Sequence, residues 1–319
     1  MILFSNINSI LNRLVCYNRI EVYMSKANGK IILFGEHSVL YGGGAIGLRL
    51  KKTYVEVKIS KNNYDYIESS FYSGRIENVD EVLNPIKSLY LKLKEKFKMD
   101  NSVLNIKTNI PLGSGLGSSA ALAKAITEEI FKYNKKELEK KELLMWIDYS
   151  ESIAHGKASG VDARICISDK PIFFKKGNYH PLDFNFKGVF LAIFSNMKKS
   201  TKNAVNLIKE NSSNVKNIIM KISNNSDLAL EAIKNGDLEK IGNLMTKGHT
   251  LLKKLGVSNN ILDNMVKIAI QQGAFGAKLT GSGLGGCIIV LCNERTSSLI
   301  SKKFLKEGFK IQFREVLQK

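Results

Sequence analysis

PLGSGLGSSAALAKA, residues 111–125, sets three glycines and three serines in front of an alanine-rich run. Glycine at this density carries an entropic cost, so the backbone here needs positive φ or close approach to a ligand. Upstream, VLNIKTNIP (103–111) alternates apolar and polar residues as a half-exposed strand does and stops at Pro111. Downstream, Ala120 to Lys132 has helical composition. A strand, a glycine-rich turn and a helix start leave backbone N–H groups free where the helix dipole is positive, which makes an anion site. No Gly-Lys-Ser/Thr follows, so this is not a Walker A loop, and glycines at 113, 115 and 117 do not fit GxGxxG. The alternative is that Ser118 or Ser119 merely caps the helix. A cap needs one hydroxyl and no triple glycine, which favours phosphate binding.

A second loop of similar shape, LTGSGLGGC (279–287), could by itself be a tight hairpin or a bulge. Beside the first it becomes informative, since two glycine loops can converge on one ligand. The ionisable groups come next. GKIILFGEHSVLYGG (29–43) places Lys30 at a strand start and Glu36-His37 just after its end. SGVD (159–162) puts Asp162 in a short turn, eleven residues beyond Glu151. Phosphoryl transfer needs a carboxylate for Mg²⁺, an acidic group near the accepting hydroxyl and a cation for the transition-state charge. Glu151, Asp162 and Lys30 supply one of each. Lys, Glu and Asp are abundant on any surface, and a lone histidine such as His37 is more often packed or capping than catalytic.

The remaining sequence sets the frame. At 319 residues the chain makes one large domain or two of ordinary size, and 44% hydrophobic residues suffice for a core. Lys+Arg 48 against Asp+Glu 29 gives a net charge of +19, which attracts polyanions. The lysines are scattered, however, and KKELEKKE (135–142) alternates signs as a solvated helix face does. An arginine-rich stripe with interleaved aromatics is missing, which speaks against nucleic acid as a partner. Four cysteines form no CxxC pair and no zinc spacing, so a reducing cytoplasm is expected. No apolar run approaches the roughly 20 residues of a membrane span. Residues 1–23 are too broken by Asn, Ser and Arg for a secretory signal, and Met24 follows them. They are read as an extension of open role, either an extra helix or the product of an upstream start codon.

Strands are expected at 29–35, 53–60, 103–111 and 186–194, with a last strand at 309–316. Helices are expected near 81–98, 120–132 and 137–153, several across 200–272, and one near 295–307. Strands dominate the first half and helices the second, an α+β pattern of two lobes.

GKIILFGEHSVLYGG, PLGSGLGSSAA and KLTGSGLGGC stand in the order and approximate spacing of the three signature motifs of the GHMP kinases, which the chain resembles. Within that superfamily it is most similar to the mevalonate kinase group. GEHSVLYG looks like that group's first motif. ESIAHGKASGVDARI resembles its metal-ligand and catalytic-aspartate segment, and LMTKGHTLLKKLGVSNNILD (244–263) its helix–GVS–helix element. The likeness runs from about Lys26 to the C-terminus.

The resemblance implies a two-lobed fold. The N-terminal lobe (24–185) is ATP-binding and resembles domain 2 of ribosomal protein S5. The C-terminal lobe (186–319) is a ferredoxin-like α/β lobe, and the active site lies between the two. It implies ATP-dependent phosphorylation of the primary (5-) hydroxyl of mevalonate, in isoprenoid biosynthesis. By matching positions, Asp162 takes or orients the hydroxyl proton, and Lys30 lowers the hydroxyl pKa and stabilises the phosphoryl charge. Ser119 and Glu151 hold Mg²⁺. Pro111, Leu112, Gly113, Ser114, Gly115, Leu116, Gly117, Ser118 and Ser119, with Gly281, Ser282 and Gly283, close round the ATP phosphates. Glu36, His37 and Thr201 contact the substrate, and the substrate carboxylate calls for a cation from among Lys175, Lys176, Lys199 and Lys202.

Three positions depart from the group's pattern. Asn28 stands where many relatives have proline, Ala158 replaces a frequent proline, and Leu284 interrupts a loop that is often all glycine. The rival readings are the same chemistry on a sugar or on phosphomevalonate, and a non-catalytic ligand- or nucleic-acid-binding protein of this fold. GEH rather than GEY disfavours phosphomevalonate, and Lys30 with Asp162 disfavours the related decarboxylases. The expected partners are thus small molecules, with no nucleic acid and no membrane. Nothing in the sequence sets the oligomeric state, and a homodimer is compatible with it.

Overall fold

A computed structural model describes residues 24–156, 159–197 and 213–317 of the chain. The extension 1–23 and Thr201, Lys199, Lys202 and Ala158 lie outside the described residues. The architecture is mixed α and β, as expected, with three sheets.

The first sheet runs in the order β1 (Ser25–Ala27), β4 (Val55–Lys61), β7 (Ser102–Thr108), β5 (Tyr66–Ser69), β6 (Ser73–Arg75). Its β5–β7 pair is parallel and the other pairs are antiparallel. β4 alternates buried and half-exposed residues, the period-two pattern visible at 53–60. The second sheet is antiparallel: β2 (Lys30–Phe34), β3 (Ala45–Arg49), β8 (Ile172–Lys175), β9 (Asn178–Pro181). β2 is buried along its whole length, so it reads as a short apolar run without alternation. The third sheet, also antiparallel, is ordered β11 (Gly276–Leu279), β12 (Cys287–Cys292), β10 (Gly188–Phe194), β13 (Lys310–Leu317).

Eight α-helices fall within the described residues. They are α1 (Asn84–Phe97), α2 (Ser118–Tyr133), α3 (Lys140–His155), α4 (Val161–Ile167), α5 (Ser213–Lys234), α6 (Leu238–Lys254), α7 (Asn260–Gln271) and α8 (Glu294–Lys306). α1 shows why such segments are helical: Ile86, Leu89, Tyr90 and Leu93 form one buried stripe at helical spacing behind Pro85 in the first turn. α2 is buried nearly all round by small residues, among them Ala120, Ala121, Ala123 and Ala125. It packs against α1, α3, α4 and the first sheet, which makes it the central helix of this half.

One hydrophobic core runs through both halves of the chain, from Ile31, Leu33 and Tyr90 to Phe190, Ile289 and Phe313. A second core of Val189, Leu191, Met265, Val290 and Phe304 fills the other face of the third sheet. The shared core holds the second and third sheets together, and the three sequence motifs meet beside it. Among the described residues no helix is long and apolar enough to cross a membrane.

Candidate active site

The three motifs interlock through their backbones. The Lys30 amide donates to the Leu116 carbonyl over 2.8 Å, tying the start of β2 to the first glycine loop. The Cys287 amide donates to the Ser114 carbonyl over 2.9 Å, so the two glycine loops are hydrogen-bonded to one another. The Thr280 hydroxyl donates to the Ile32 carbonyl at 3.0 Å, and His37 Nε2 donates to the Ser282 carbonyl at 3.0 Å. Segments more than 200 residues apart in sequence thus converge on one place, as the paired glycine loops suggested.

At the head of α2, Gly117 is the N-cap residue, with φ 75° and no side chain to cap the helix. The first-turn N–H groups of α2 are therefore open to an anion, and neither Ser118 nor Ser119 acts as the N-cap. Gly117 is required for a second reason. A Cβ built there would lie 2.6 Å from Lys30 Cγ, because the lysine chain runs directly across the loop. Ser119 is half-buried, whereas the Ser118 hydroxyl is buried and, among the described residues, has no hydrogen-bond partner.

Lys30 is 3% exposed, and its ammonium lies 2.7 Å from Asp162 Oδ2. Burial alone would lower the lysine pKa. The charge of Asp162, the hydrogen bond to it and the further charge of Glu151 outweigh burial, so Lys30 is held above the ordinary lysine value and stays an ammonium. Cys166, one turn along α4 from Asp162, feels the same charges, and burial pushes its thiol up to about 12. Lys30, Glu151 and Asp162 thus form one electrostatic cluster beside the head of α2. Asp162 sits in the first turn of α4, not in the short turn read from SGVD; Gly160, with φ 79°, makes the bend that precedes it. Arg164 of α4 pairs with Asp148 of α3 and also donates to the Gly160 carbonyl at 3.2 Å. This pair fixes the helix that carries Asp162 against the helix that carries Glu151.

On the other side of the third motif lie Glu36 and His37. His37 takes φ 62°, a left-handed conformation rare for a residue with a Cβ, and its ring reaches the Ser282 carbonyl. Glu36 is 2% exposed and forms an ion pair with Lys278 of β11. Lys278 did not emerge from sequence reasoning. It sits in the apolar strand β11 as the first residue of KLTGSGLGGC, and no local pattern distinguishes it from a surface lysine. Its neighbour is α6, whose Gly242 packs backbone against backbone on Gly276 of β11, a contact that admits no side chain at either position. Of the candidate cations for a substrate carboxylate, Lys175 pairs with Asp227 of α5 at 3.2 Å, and Lys176 takes φ 51° in the turn between β8 and β9.

Comparison with known proteins bears on the family. Residues 84–170 match the GHMP kinases N terminal domain, and residues 229–310 match GHMP kinases C terminal. The chain is 31% identical to a mevalonate kinase of Pyrococcus horikoshii over 303 residues, covering 86% of this chain and 90% of the relative. It is also 31% identical to a mevalonate kinase of Methanocaldococcus jannaschii over 314 residues, covering 88% of this chain and 96% of the relative. The crystal structure of the Methanococcus jannaschii mevalonate kinase superposes with a TM-score of 0.78 at 28% identity, covering 94% of this chain and all of that one. A galactokinase of Lactococcus lactis, at 21% identity and a TM-score of 0.73, shares the fold. Interlocked motifs, matched domains and relatives aligned over most of their length lead to one conclusion: the chain belongs to the mevalonate kinase family of GHMP kinases.

Proposed function

We propose that the protein transfers the γ-phosphoryl group of ATP to the primary (5-) hydroxyl of mevalonate, giving 5-phosphomevalonate and ADP. The observation that carries this reading is the ion pair of buried Lys30 with the partly exposed Asp162 at 2.7 Å, set against the uncapped head of α2. The first-turn N–H groups of α2 and the two hydrogen-bonded glycine loops (Pro111–Ser119 and Gly281–Gly283) hold the ATP phosphates. Asp162 accepts or orients the proton of the 5-hydroxyl. Lys30, kept protonated by its surroundings, favours the developing alkoxide and then the charge on the transferred phosphoryl group. The hydroxyl oxygen forms the new P–O bond, the bond to ADP breaks, and the proton leaves by way of Asp162. Positioning and charge stabilisation account for most of such a reaction.

The residues fit a magnesium ion. Glu151 is buried in the same cluster as Lys30, and the half-buried Ser119 stands in the first turn of α2, beside the unpartnered hydroxyl of Ser118. One carboxylate and one hydroxyl, with the phosphates themselves, suit a hard cation that keeps part of its water. Held there with ATP, Mg²⁺ would neutralise phosphate charge. His37 and Glu36 form the mevalonate side of the site, and Thr201 is a further candidate contact. Lys176, Lys199 and Lys202 remain candidates for the carboxylate, whereas Lys175 is already engaged by Asp227. The buried thiols Cys166, Cys287 and Cys292 suit work in a reducing cytoplasm.

The test is ADP release with ATP and Mg²⁺, run in parallel on mevalonate, phosphomevalonate, galactose and homoserine. Turnover with mevalonate alone supports the reading. Turnover with another acceptor keeps the kinase chemistry and overturns the substrate.

A further inference from the structure

Lys278 belongs to none of the roles above, yet it is among the largest fully buried side chains of the protein, at 1% exposure. A lysine is almost never buried without a partner, because removing its charge from water is expensive. Its ammonium donates to two groups only a few ångströms apart: the Glu36 carboxylate and, at 2.7 Å, the carbonyl of Leu279. The second partner lies on its own strand and anchors the ammonium to β11. The first lies 242 residues away, on the turn that follows β2.

The two ends of this pair have telling neighbours. Glu36 immediately precedes His37, whose φ of 62° must be enforced by its surroundings. Lys278 opens the third motif, KLTGSGLGGC, whose loop supplies both the Thr280 hydroxyl to Ile32 and the Ser282 carbonyl to His37. The pair is therefore the buried clamp of a short ladder, Glu36–Lys278, Ile32–Thr280 and His37–Ser282, joining the first motif to the third. From α6, Gly248 approaches the Lys278 side chain, and a Cβ there would lie 3.6 Å from Lys278 Cε. The shaft of the lysine is thus enclosed, and its ammonium has little freedom to choose another partner.

We infer that Lys278 is a positioning residue for the acceptor side of the site: through Glu36 it holds the Glu36–His37 turn against the second glycine loop, in the orientation that receives mevalonate. This rests on the proposed reaction, and it adds a residue that acts through another and touches no substrate. A loss of the clamp should weaken mevalonate binding more than ATP binding. The phosphate loop is also held by Cys287–Ser114 and Lys30–Leu116, which do not involve Lys278.

The experiment is a double-mutant cycle on the full chain, with KM for mevalonate and for ATP measured separately. The variants are Lys278→Met, Lys278→Arg, Glu36→Gln and the double Glu36→Gln/Lys278→Met. Lys278→Met is expected to raise the mevalonate KM tenfold or more and the ATP KM less than threefold, with Lys278→Arg recovering most of the loss. In the Glu36→Gln background the same Lys278→Met change should add less than twofold. The double variant carries no unpaired buried charge, so it preserves the fold even where Lys278→Met alone does not. In that case the double variant and Glu36→Gln must share one mevalonate KM within twofold. Equal losses for ATP and mevalonate, failure of the arginine to rescue, or additive effects in the cycle overturn the assignment. Absence of turnover with mevalonate by the unaltered protein overturns the proposed reaction, and this role with it. Turnover with normal KM in Lys278→Met overturns this role alone.

Discussion

Replacing Gly117 with alanine tests how closely the first glycine loop and Lys30, the proposed catalytic lysine, are fitted. Two separate costs follow from the geometry. The first is conformational: Gly117 has φ 75° and ψ 29°, and an alanine in that left-handed region loses about 1–2 kcal/mol. The second is steric. The new Cβ would lie 2.6 Å from Lys30 Cγ, 2.9 Å from Cε and 3.1 Å from Cδ. Carbon atoms in comfortable contact lie about 3.5–4.0 Å apart, so the lysine chain must retreat by about 1 Å along much of its length. Its ammonium is 2.7 Å from Asp162, and a displacement of about 1 Å at a reacting centre can lower the rate about 100-fold. Gly117→Ala should therefore melt at a lower temperature, corresponding to about 1–2 kcal/mol, and lose about two orders of magnitude in kcat. Gly308→Ala is the control. Its φ is 82° with nothing within 4 Å of the added Cβ, and it should show the stability loss with kcat unchanged. Thermal melts and ADP release at saturating substrates read both quantities. A Gly117→Ala protein with the original kcat, or a Gly308→Ala protein equally impaired, refutes the proposed contact between loop and lysine.

Other expectations concern this cluster and the buried His249 of α6. Asp162→Asn removes the proposed proton acceptor and leaves Lys30 buried without its nearest carboxylate. In the ADP-release assay kcat should fall about 10²–10⁴-fold. Glu151→Gln should raise the Mg²⁺ concentration for half-maximal rate roughly tenfold or more, read by titrating Mg²⁺ at fixed ATP; an unchanged curve removes Glu151 from the metal site. Burial, against the opposing pull of Asp263, holds the His249 pKa below the usual histidine value. That contribution to stability is fully present above the unfolded value of about 6.5 and is lost as pH falls below it toward the lower folded value. Urea midpoints should therefore decline between about pH 7 and pH 5, and His249→Gln should flatten that decline.

The sequence carries its most legible signal where one local rule decides the structure. β4 and β7 alternate, α1 carries an apolar stripe with proline in its first turn, and both were readable by eye. β3 and β8 escaped because they are short and buried on most of their length, so no alternation marks them. The hairpin of β8 and β9 turns through Lys176-Gly177, both with positive φ, where a lysine gives none of the usual Asn-Gly warning. α4 is only seven residues long and begins behind a left-handed glycine, so SGVD reads as a turn although Asp162 is helical. At the site the contrast is similar. Lys30, Glu151, Asp162 and the glycine loops lie within motifs, and the fold brings them together. Lys278 acts through a partner 242 residues away and Arg164 through one on the preceding helix, and only the packing of α6 on β11 and of α4 on α3 makes those partners visible.

Phosphoryl transfer to the primary hydroxyl is best examined on the product itself. The purified protein, ATP, Mg²⁺ and mevalonate should yield a phosphate monoester whose ³¹P signal is split by two protons of an adjacent methylene, and Asp162→Asn should yield almost none. A ³¹P signal without that splitting would place the phosphate on the tertiary hydroxyl. ATP consumption without a new monoester would remove mevalonate as the acceptor. Either result contradicts the roles assigned to Lys30 and Asp162.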